Sequence, residues 1–298
     1  MRTGATRAGT ETRYAAAMLI DVPSGFDFRR TVLSHGWSSL APFSLDRDTW
    51  TLRYGRLTIS AAGAGVRVVG SRRRADAATV AHVLHLDADL AEFYDLCASS
   101  GPGRRGPDLR WVPAAGAGRL LRSPTVFEDL VKLLATTNCS WALTERMCNA
   151  LVEAGGGAFP APDVVAALGV EGLRARSFGY RAAAAHEIAR RVADGEVDPQ
   201  TWLDPDHGDA RVRAEILALP GCGPYVADNM CKLVDRYDGL GLDSWVRAKL
   251  ARLVGRHLDD RRIARRYTRF GRWRGLALWC EVTADWIPRH DPSTDAGR

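Results

Sequence analysis

The sequence predicts an α+β protein in which a small antiparallel sheet near the N-terminus precedes a mainly helical body. Three observations carry that class. Between residues 14 and 71, large apolar and polar side chains alternate between glycine turns. Beyond residue 118, apolar residues recur at the three- and four-residue spacing of amphipathic helices. Between the two lies a Gly-, Pro- and Arg-rich stretch, Gly101 to Gly118, that reads as a boundary. The expected organisation is a disordered tail over 1–13, a sheet-containing domain over 14–112 and a helical domain over 113–298.

The apolar run over 15–22 is a first candidate strand. Trp50, Leu52 and Tyr54, then Leu57 and Ile59, alternate with polar residues on either side of Gly55-Arg56, which reads as their turn. A further run, Val66 to Val69, follows a turn at Gly63 and Gly65, and Phe26 to Leu33 reads as a helix between these strands. The helical body opens with Ser123 as cap, Pro124 at the first helical position and the acids Glu128 and Asp129 in the first turn. Phe127, Leu130, Val131 and Leu134 then share one face. Further helices are expected over 141–153, 163–168, 181–193, 210–218, 225–236, 244–256, 260–269 and 275–287.

With 298 residues, 46% hydrophobic and 26% charged, the chain has an ordinary globular composition, which excludes disorder and a fibre. No apolar run approaches the roughly 18 residues of a membrane span, and the first 13 residues are small and polar. The chain therefore reads as a soluble, monomeric protein of the cytoplasm. Its 41 Lys+Arg exceed 35 Asp+Glu by six, and only Lys132, Lys232 and Lys249 are lysines. GC-rich coding raises Arg, Ala and Gly together, so the total charge says little. Its distribution says more: Arg247 to Arg274 holds eleven basic and two acidic residues, a local +9 that suits a polyanion or simply a solvated face. Six cysteines without a C-x-x-C pair point to reduced thiols, and no ligand set completes a metal site around His82 and His85. No metal or cofactor is expected.

Chemistry concentrates in one stretch. Ile216 to Leu219 ends a helix, Gly221 and Gly223 make a tight turn, and Pro224 opens the next helix with its fixed φ. The hairpin over 219–225 would aim backbone N–H groups and a helix N-terminus outward, an anion site able to take a phosphate without reading a base. A tight helix–helix corner uses the same glycines. Eighteen residues after Tyr225, Asp243 follows a glycine-rich loop (Asp238 to Gly241) and precedes a helix. As an N-cap it would stabilise that helix by about 1 kcal/mol. The same fixed carboxylate, beside a phosphate site, could stabilise positive charge developing on a sugar.

With these segments (LPGCGPYVAD and GLDSWVR) the chain resembles the helix–hairpin–helix DNA glycosylases of the HhH-GPD type, the group of the 8-oxoguanine and alkylpurine enzymes. The resemblance extends to FDFRRTVLSHGW from Phe26, DLAEFY from Asp89, FEDLVKLLATTN from Phe127 and RWRGLALW from Arg272. It implies an HhH-GPD body behind the N-terminal sheet and a double-stranded DNA partner carrying a modified base, which is flipped out of the stack. It also implies action near the nucleoid.

The resemblance places the catalytic aspartate at Asp243. It makes Gly221, Gly223, Asn138, Arg247 and Ser244 the DNA-holding residues, and Tyr225, Asn229, Trp141, Gly36 and Trp37 the base pocket. Asn138 is equally readable as a helix cap, and Trp141 as core. Bifunctional members carry a Schiff-base lysine where this chain has Tyr225. A phenol cannot form an imine, and neither Lys232 nor Lys249 falls on that slot. The implied activity is a monofunctional glycosylase that uses water and leaves an abasic site. A single cysteine, Cys280, follows Asp243, so the iron–sulfur cluster of some relatives is not expected. Asn229 stands where the 8-oxoguanine enzymes place a cysteine, which disfavours that base. Alkylated purines lead, because the lysine slot is aromatic. A hydroxymethylated or glucosylated cytosine of phage DNA, excised in defence, is the alternative. A DNA-binding module without catalysis is the alternative from another class, and it has no use for Asp243.

Overall fold

The computed structural model describes residues 17–71, 74–101 and 106–287. The expected tail over 1–13 and part of the boundary stretch, 102–105, lie outside them.

Five strands form one antiparallel sheet: β1 (Ala17–Asp21), β2 (Phe43–Asp46), β3 (Thr51–Tyr54), β4 (Leu57–Ala62) and β5 (Gly65–Val69), in the order β1-β5-β4-β3-β2. Tyr54 pairs with Leu57 across Gly55-Arg56, and Ala62 pairs with Gly65 across Gly63-Ala64. Both two-residue turns open on a glycine at positive φ (+53° and +58°), as tight hairpins with the twist of their strands require. β2 was not expected, since its four residues are too few to show a period. One face of the sheet is buried through Phe43, Leu52, Leu57, Ile59, Val66 and Val68. The short helix α1 (Phe28–Val32), capped by Asp27, leads into a one-turn segment Gly36–Ser39.

The helices α2 (Arg74–Val83), α3 (Ala91–Ala98) and α4 (Trp111–Ala114) follow the sheet in the chain and precede the body. The body comprises α5 (Val126–Ala135), α6 (Trp141–Ala154), α7 (Pro162–Ala167), α8 (Gly169–Ala175), α9 (Ala182–Ala193), α10 (Asp209–Leu217), α11 (Pro224–Leu233), α12 (Ser244–Val254), α13 (Asp260–Tyr267) and α14 (Arg274–Thr283). The expected helix over 163–168 is thus followed at once by a second, which starts at Gly169 with φ +65°. The buried side chains form one hydrophobic cluster that runs from the sheet through the helices.

The helix α5 departs from its sequence pattern in two ways. Its cap is Thr125, whose side chain accepts from Glu128 N, so Ser123 and Pro124 precede the helix instead of opening it. All ten of its residues are buried, including the charged face Glu128, Asp129 and Lys132. That face is covered by the sheet domain. Trp37 donates its indole N–H to Asp129 Oδ1 (2.6 Å) and Tyr54 its hydroxyl to Glu128 Oε2 (3.0 Å). Lys132 Nζ donates to Glu128 Oε1 (2.6 Å) and to Ser123 Oγ (3.2 Å), and it sits over the Phe43 ring. Burial pushes the Asp129 carboxyl up to about 6, opposed by its hydrogen bonds to Ser123 and Trp37 and by Lys132.

A second set, in which buried His85, Arg122, Arg119 and Tyr237 meet around the exposed Asp235, ties the joint between sheet domain and body. Asp235, at φ +67°, accepts from His85 Nε2 (2.6 Å) and Tyr237 OH (2.7 Å) and pairs with Arg122 (2.8 Å), while Arg119 donates to His85 O. His85 is therefore a structural histidine whose pKa burial lowers to about 4.

Removing the one cation from the α5 face leaves two carboxyl groups buried without it. Lys132→Met is expected to lower the unfolding free energy by about 3–5 kcal/mol in urea titrations. Adding Glu128→Gln should recover part of that loss; simple additivity of the two changes would show that the pair is not coupled.

Candidate active site

The hairpin forms as the glycines require. α10 ends at Leu217, two residues earlier than expected, and the turn closes with Cys222 N donating to Leu219 O (3.2 Å). Gly221 lies at φ +74°, and a Cβ there would stand 3.0 Å from Ala184 Cβ and from Leu134 Cδ1, so a side chain at this position is strained by its backbone and crowded by its neighbours. Gly223 is the N-cap of α11, has ordinary φ, and faces open space: nothing lies within 4 Å of a Cβ built on it. Pro224 follows at the first helical position, and no side chain caps the helix. The first-turn N–H groups of α11 are thus presented at a gap in the surface.

Asp243 is the N-cap of α12. Its Oδ1 accepts from Val246 N (2.7 Å), which fixes the carboxylate at the helix start and leaves Oδ2 without a hydrogen-bond partner among the described residues. The loop before it is clamped from two sides. Asp228 on α11 accepts from Gly241 N (3.1 Å) while pairing with Arg213 (3.0 Å). From the other side, Arg274 holds Asp238 (2.8 Å) and Gly275 N donates to Tyr237 O (2.7 Å). A Cβ on Gly275 would meet Gly239 O at 2.0 Å, so the start of α14 rests directly on the loop backbone. Neither Asp228 nor Gly275 stood out in the sequence, because their partners are 13 or more residues away.

Between the hairpin, Asp243 and the sheet domain lies a cleft of ≈ 1180 Å³. All the residues expected at the site line it: Asp243, Ser244, Arg247, Gly221, Gly223 and Asn138, together with Tyr225, Asn229, Trp141, Gly36 and Trp37. Their roles in the wall differ. Trp141 is 41% exposed, donates to Ser39 Oγ (3.1 Å) and lays its ring on Gly36, where a Cβ would be 2.2 Å from Cη2. It is a wall residue and not core. Trp37 is buried, with its N–H committed to Asp129 and its ring edge-on to His35, so it supports the loop from behind. Tyr225 is half-buried, with its hydroxyl 3.3 Å from Thr136 Oγ1, and burial raises its pKa. Asn138 adopts φ +44° between α5 and α6; the cap of α6 is Ser140, which settles the alternative of Asn138 as a cap.

The cleft also contains side chains that the sequence did not single out. Trp245, Trp279 and Trp286 form a trio with ring centroids 5.8–6.1 Å apart on one side. Tyr180, 67% exposed, also lines the cleft and donates to Thr137 O (3.3 Å), next to Asn138 in the chain. Lys232, 3% exposed, contributes to the floor next to Asn229. Trp245 sits beside Asp243 in GLDSWVR, whereas Trp279, Trp286, Tyr180 and Lys232 lie far from it in the chain and only the fold brings them to it.

The basic segment is largely paired within the protein. Arg247 forms a fork with Asp260 (2.9 and 3.0 Å), and Lys249, Arg262, Arg266, Arg272 and Arg274 pair with Asp285, Asp259, Glu281, Glu92 and Asp238. Four acids from outside the segment thus offset four charges of the local +9, which already counts Asp259 and Asp260. Exposed pairs of this kind contribute at most about 1 kcal/mol, so Arg247 can exchange Asp260 for another anion at small cost. Among the described residues no helix is long and apolar enough to cross a membrane, and no group of three or more His, Cys, Asp or Glu side chains could hold a metal ion.

No family model matches the chain. A curated N-glycosylase/DNA lyase of Saccharomyces cerevisiae is 26% identical over 160 residues, which is 45% of this chain and 43% of that protein, so the match spans less than half of the relative. Among solved structures, the chain is similar to MBOgg1 in complex with a low affinity DNA ligand, with a TM-score of 0.73 at 17% identity over 96% of this chain and 100% of that one. It is similar to the apo-form of the Clostridium acetobutylicum 8-oxoguanine glycosylase/lyase (TM-score 0.71, 16% identity, 89% and 95% covered). It is also similar to the 3-methyladenine DNA-glycosylase of Archaeoglobus fulgidus (TM-score 0.70, 19% identity, 91% and 99% covered). The five-stranded sheet set before a mostly helical body is the fold that this chain shares with 8-oxoguanine and 3-methyladenine DNA glycosylases of the helix–hairpin–helix type.

Proposed function

We propose that the protein is a monofunctional DNA glycosylase: it flips a modified base out of double-stranded DNA and removes it by hydrolysis, leaving an abasic site. The observation that carries this reading is the position of Asp243. One carboxylate oxygen is spent on the α12 cap, and the residue lines a cleft bounded by the hairpin and by aromatic walls. Cleavage of an N-glycosidic bond passes through an oxocarbenium-like state, and a fixed carboxylate at its face stabilises the developing positive charge. Held by an N-cap, Asp243 needs no reorganisation to do so.

Water is the nucleophile in this reading, because Tyr225 occupies the position from which a lysine would attack, and a phenol forms no imine. Gly223 and the α11 N-terminus take a backbone phosphate next to the lesion. Trp141 on Gly36 and Tyr225 border the space for the extruded base, while Asn138 and Arg247 face the strand that the base has left. Two classes of base fit these walls. Alkylated purines are favoured by the aromatic ring of Tyr225, and a hypermodified cytosine by the width of a cleft bordered by three further tryptophans.

Asp243→Asn keeps the cap, since an amide oxygen also accepts from Val246 N, and should leave the melting temperature unchanged while slowing base release by about 10²- to 10³-fold. Single-turnover assays on the duplex that the wild type processes best would reveal it; full activity in the variant refutes the role of Asp243. Product strands from the wild type should remain intact until heated in alkali, and breakage without alkali would refute the monofunctional reading. Gly223→Ala places a methyl group in the open gap. Affinity for an abasic-analogue duplex should fall about tenfold with no change in thermal stability, as measured by fluorescence anisotropy across a salt series.

A further inference from the structure

Lys232 is the one buried ammonium at the site. It lies on α11 two turns beyond Tyr225, is 3% exposed and lines the cleft. Its Nζ donates to Asn229 Oδ1 (3.1 Å) and to Leu240 O (2.9 Å), both neutral acceptors, and Asn229 in turn donates to Tyr225 O (2.9 Å). The pocket is built around this group: Gly241, at φ +63°, passes so close that a Cβ would stand 2.6 Å from Nζ and 2.7 Å from both polar atoms of the Asn229 amide. An ammonium has three donors, and two are engaged. The third remains for the cleft. The facing charges are Asp228 on the same helix and Asp243 across the loop, with the Cys231 thiol next to it in sequence. Burying an ammonium without a direct carboxylate partner is costly, so a lysine here needs a reason that a methionine of similar size would not supply.

We infer that Lys232 selects the leaving base: it donates a hydrogen bond to an acceptor on an extruded, electrically neutral base and stabilises the negative charge that base acquires as it departs. The inference rests on the hydrolytic reading above and narrows its substrate. In the step, the C1′–N bond breaks and its electron pair stays on the base nitrogen. The oxygen of water bonds to C1′ and its proton passes to the Asp243 carboxylate and on to solvent, while the base anion takes a proton from the Lys232 ammonium, which solvent restores. A purine alkylated at N3 or N7 already carries a positive charge and leaves as a neutral molecule. It gains nothing from a buried cation and is repelled by it. The charge of the floor thus opposes the alkylpurine expectation raised by Tyr225, and it fits neutral oxidised, deaminated or hypermodified bases.

Burial lowers the Lys232 pKa to about 8, partly offset by Asp228, Cys231 and Asp243. The ammonium is present below that value and is lost as pH rises through it, so base release that depends on it should fall above pH 8.

The test measures single-turnover base release, with abasic sites developed by hot alkali. The duplexes carry N7-methylguanine or one of the neutral bases 8-oxoguanine, hypoxanthine, 5-hydroxymethylcytosine and its glucosylated form. At least one neutral base should be released faster than N7-methylguanine. Lys232→Met should slow that release by about 10- to 100-fold, the size expected for a charge-assisted hydrogen bond made in the transition state, and should abolish the fall above pH 8. Lys232→Arg, which keeps the charge, should retain more activity than Lys232→Met. Circular dichroism and melting curves distinguish a folding defect from loss of function. Should Lys232→Met prove unstable, the wild-type ranking of bases and its pH profile still decide the matter. Preferential release of N7-methylguanine, or an unchanged ratio between bases in a folded Lys232→Met, overturns the assignment of Lys232 alone. Release of no base by the wild type overturns the hydrolase reading. Borohydride trapping of the wild type on DNA that is lost in Lys232→Met would make Lys232 a nucleophile and overturn both.

Discussion

The charged face of α5 is the constraint on which the architecture depends. A helix carrying Glu128, Asp129 and Lys132 on one side would ordinarily turn that side to water, yet every one of its residues is buried. The desolvation of three ionisable groups is tolerable only because the sheet domain supplies Trp37, Tyr54 and the Phe43 ring in fixed positions. Sheet and body therefore cannot slide against each other without exposing unsatisfied charge. Trp37 is one end of this network and the neighbour of Gly36, so the same bonds that dock the sheet also set the loop on which Trp141 lies.

The candidate site is an assembly of helix beginnings. α11 opens at Gly223 and α12 at Asp243, and the 19 residues between these two caps hold both α11 and the loop that returns the chain to its starting end. One N-terminus is left uncapped by any side chain and offers N–H groups, while the other is capped by a carboxylate. An anion-accepting end and an anionic cap lie side by side, which is the electrostatic arrangement that a phosphate on one side of a sugar and a developing cation on the sugar itself call for.

The features legible in the sequence were those with local causes. The two-residue hairpins announced themselves by glycine, the hairpin at 219–225 by two glycines and a proline, and the cap at Asp243 by a polar residue before an amphipathic run. The helices α2, α3, α4 and α8 and the strand β2 escaped because they are short or shaped by tertiary packing. The start of α5 was displaced from Ser123 to Thr125 because Ser123 had a better use: its backbone N–H donates to Asp129 and its hydroxyl accepts from Lys132. Within the site, Asp243, Tyr225 and the glycines were readable, and Lys232 was passed over because it matched no position of a known motif. Its significance lies in what surrounds it, which only the fold reveals. Likewise the local +9 near Asp243 suited a polyanion or a solvated face, and the structure brings Asp238, Glu92, Glu281 and Asp285 from elsewhere in the chain to answer part of it.

The contact between Gly275 and Gly239 has a consequence for how the protein comes into being. The loop that delivers Asp243 is closed off by the first turn of α14, some thirty residues later in the chain, through a backbone approach that admits no side chain. On the ribosome, the hairpin and the aspartate are therefore synthesised well before the backing that fixes them. The hairpin and Asp243 both precede α14 in the chain, and the loop between them gains its backing only when α14 has emerged and docked. In the proposed reading, the phosphate site would thus be complete before the carboxylate beside it is fixed, and cleavage would await the whole fold.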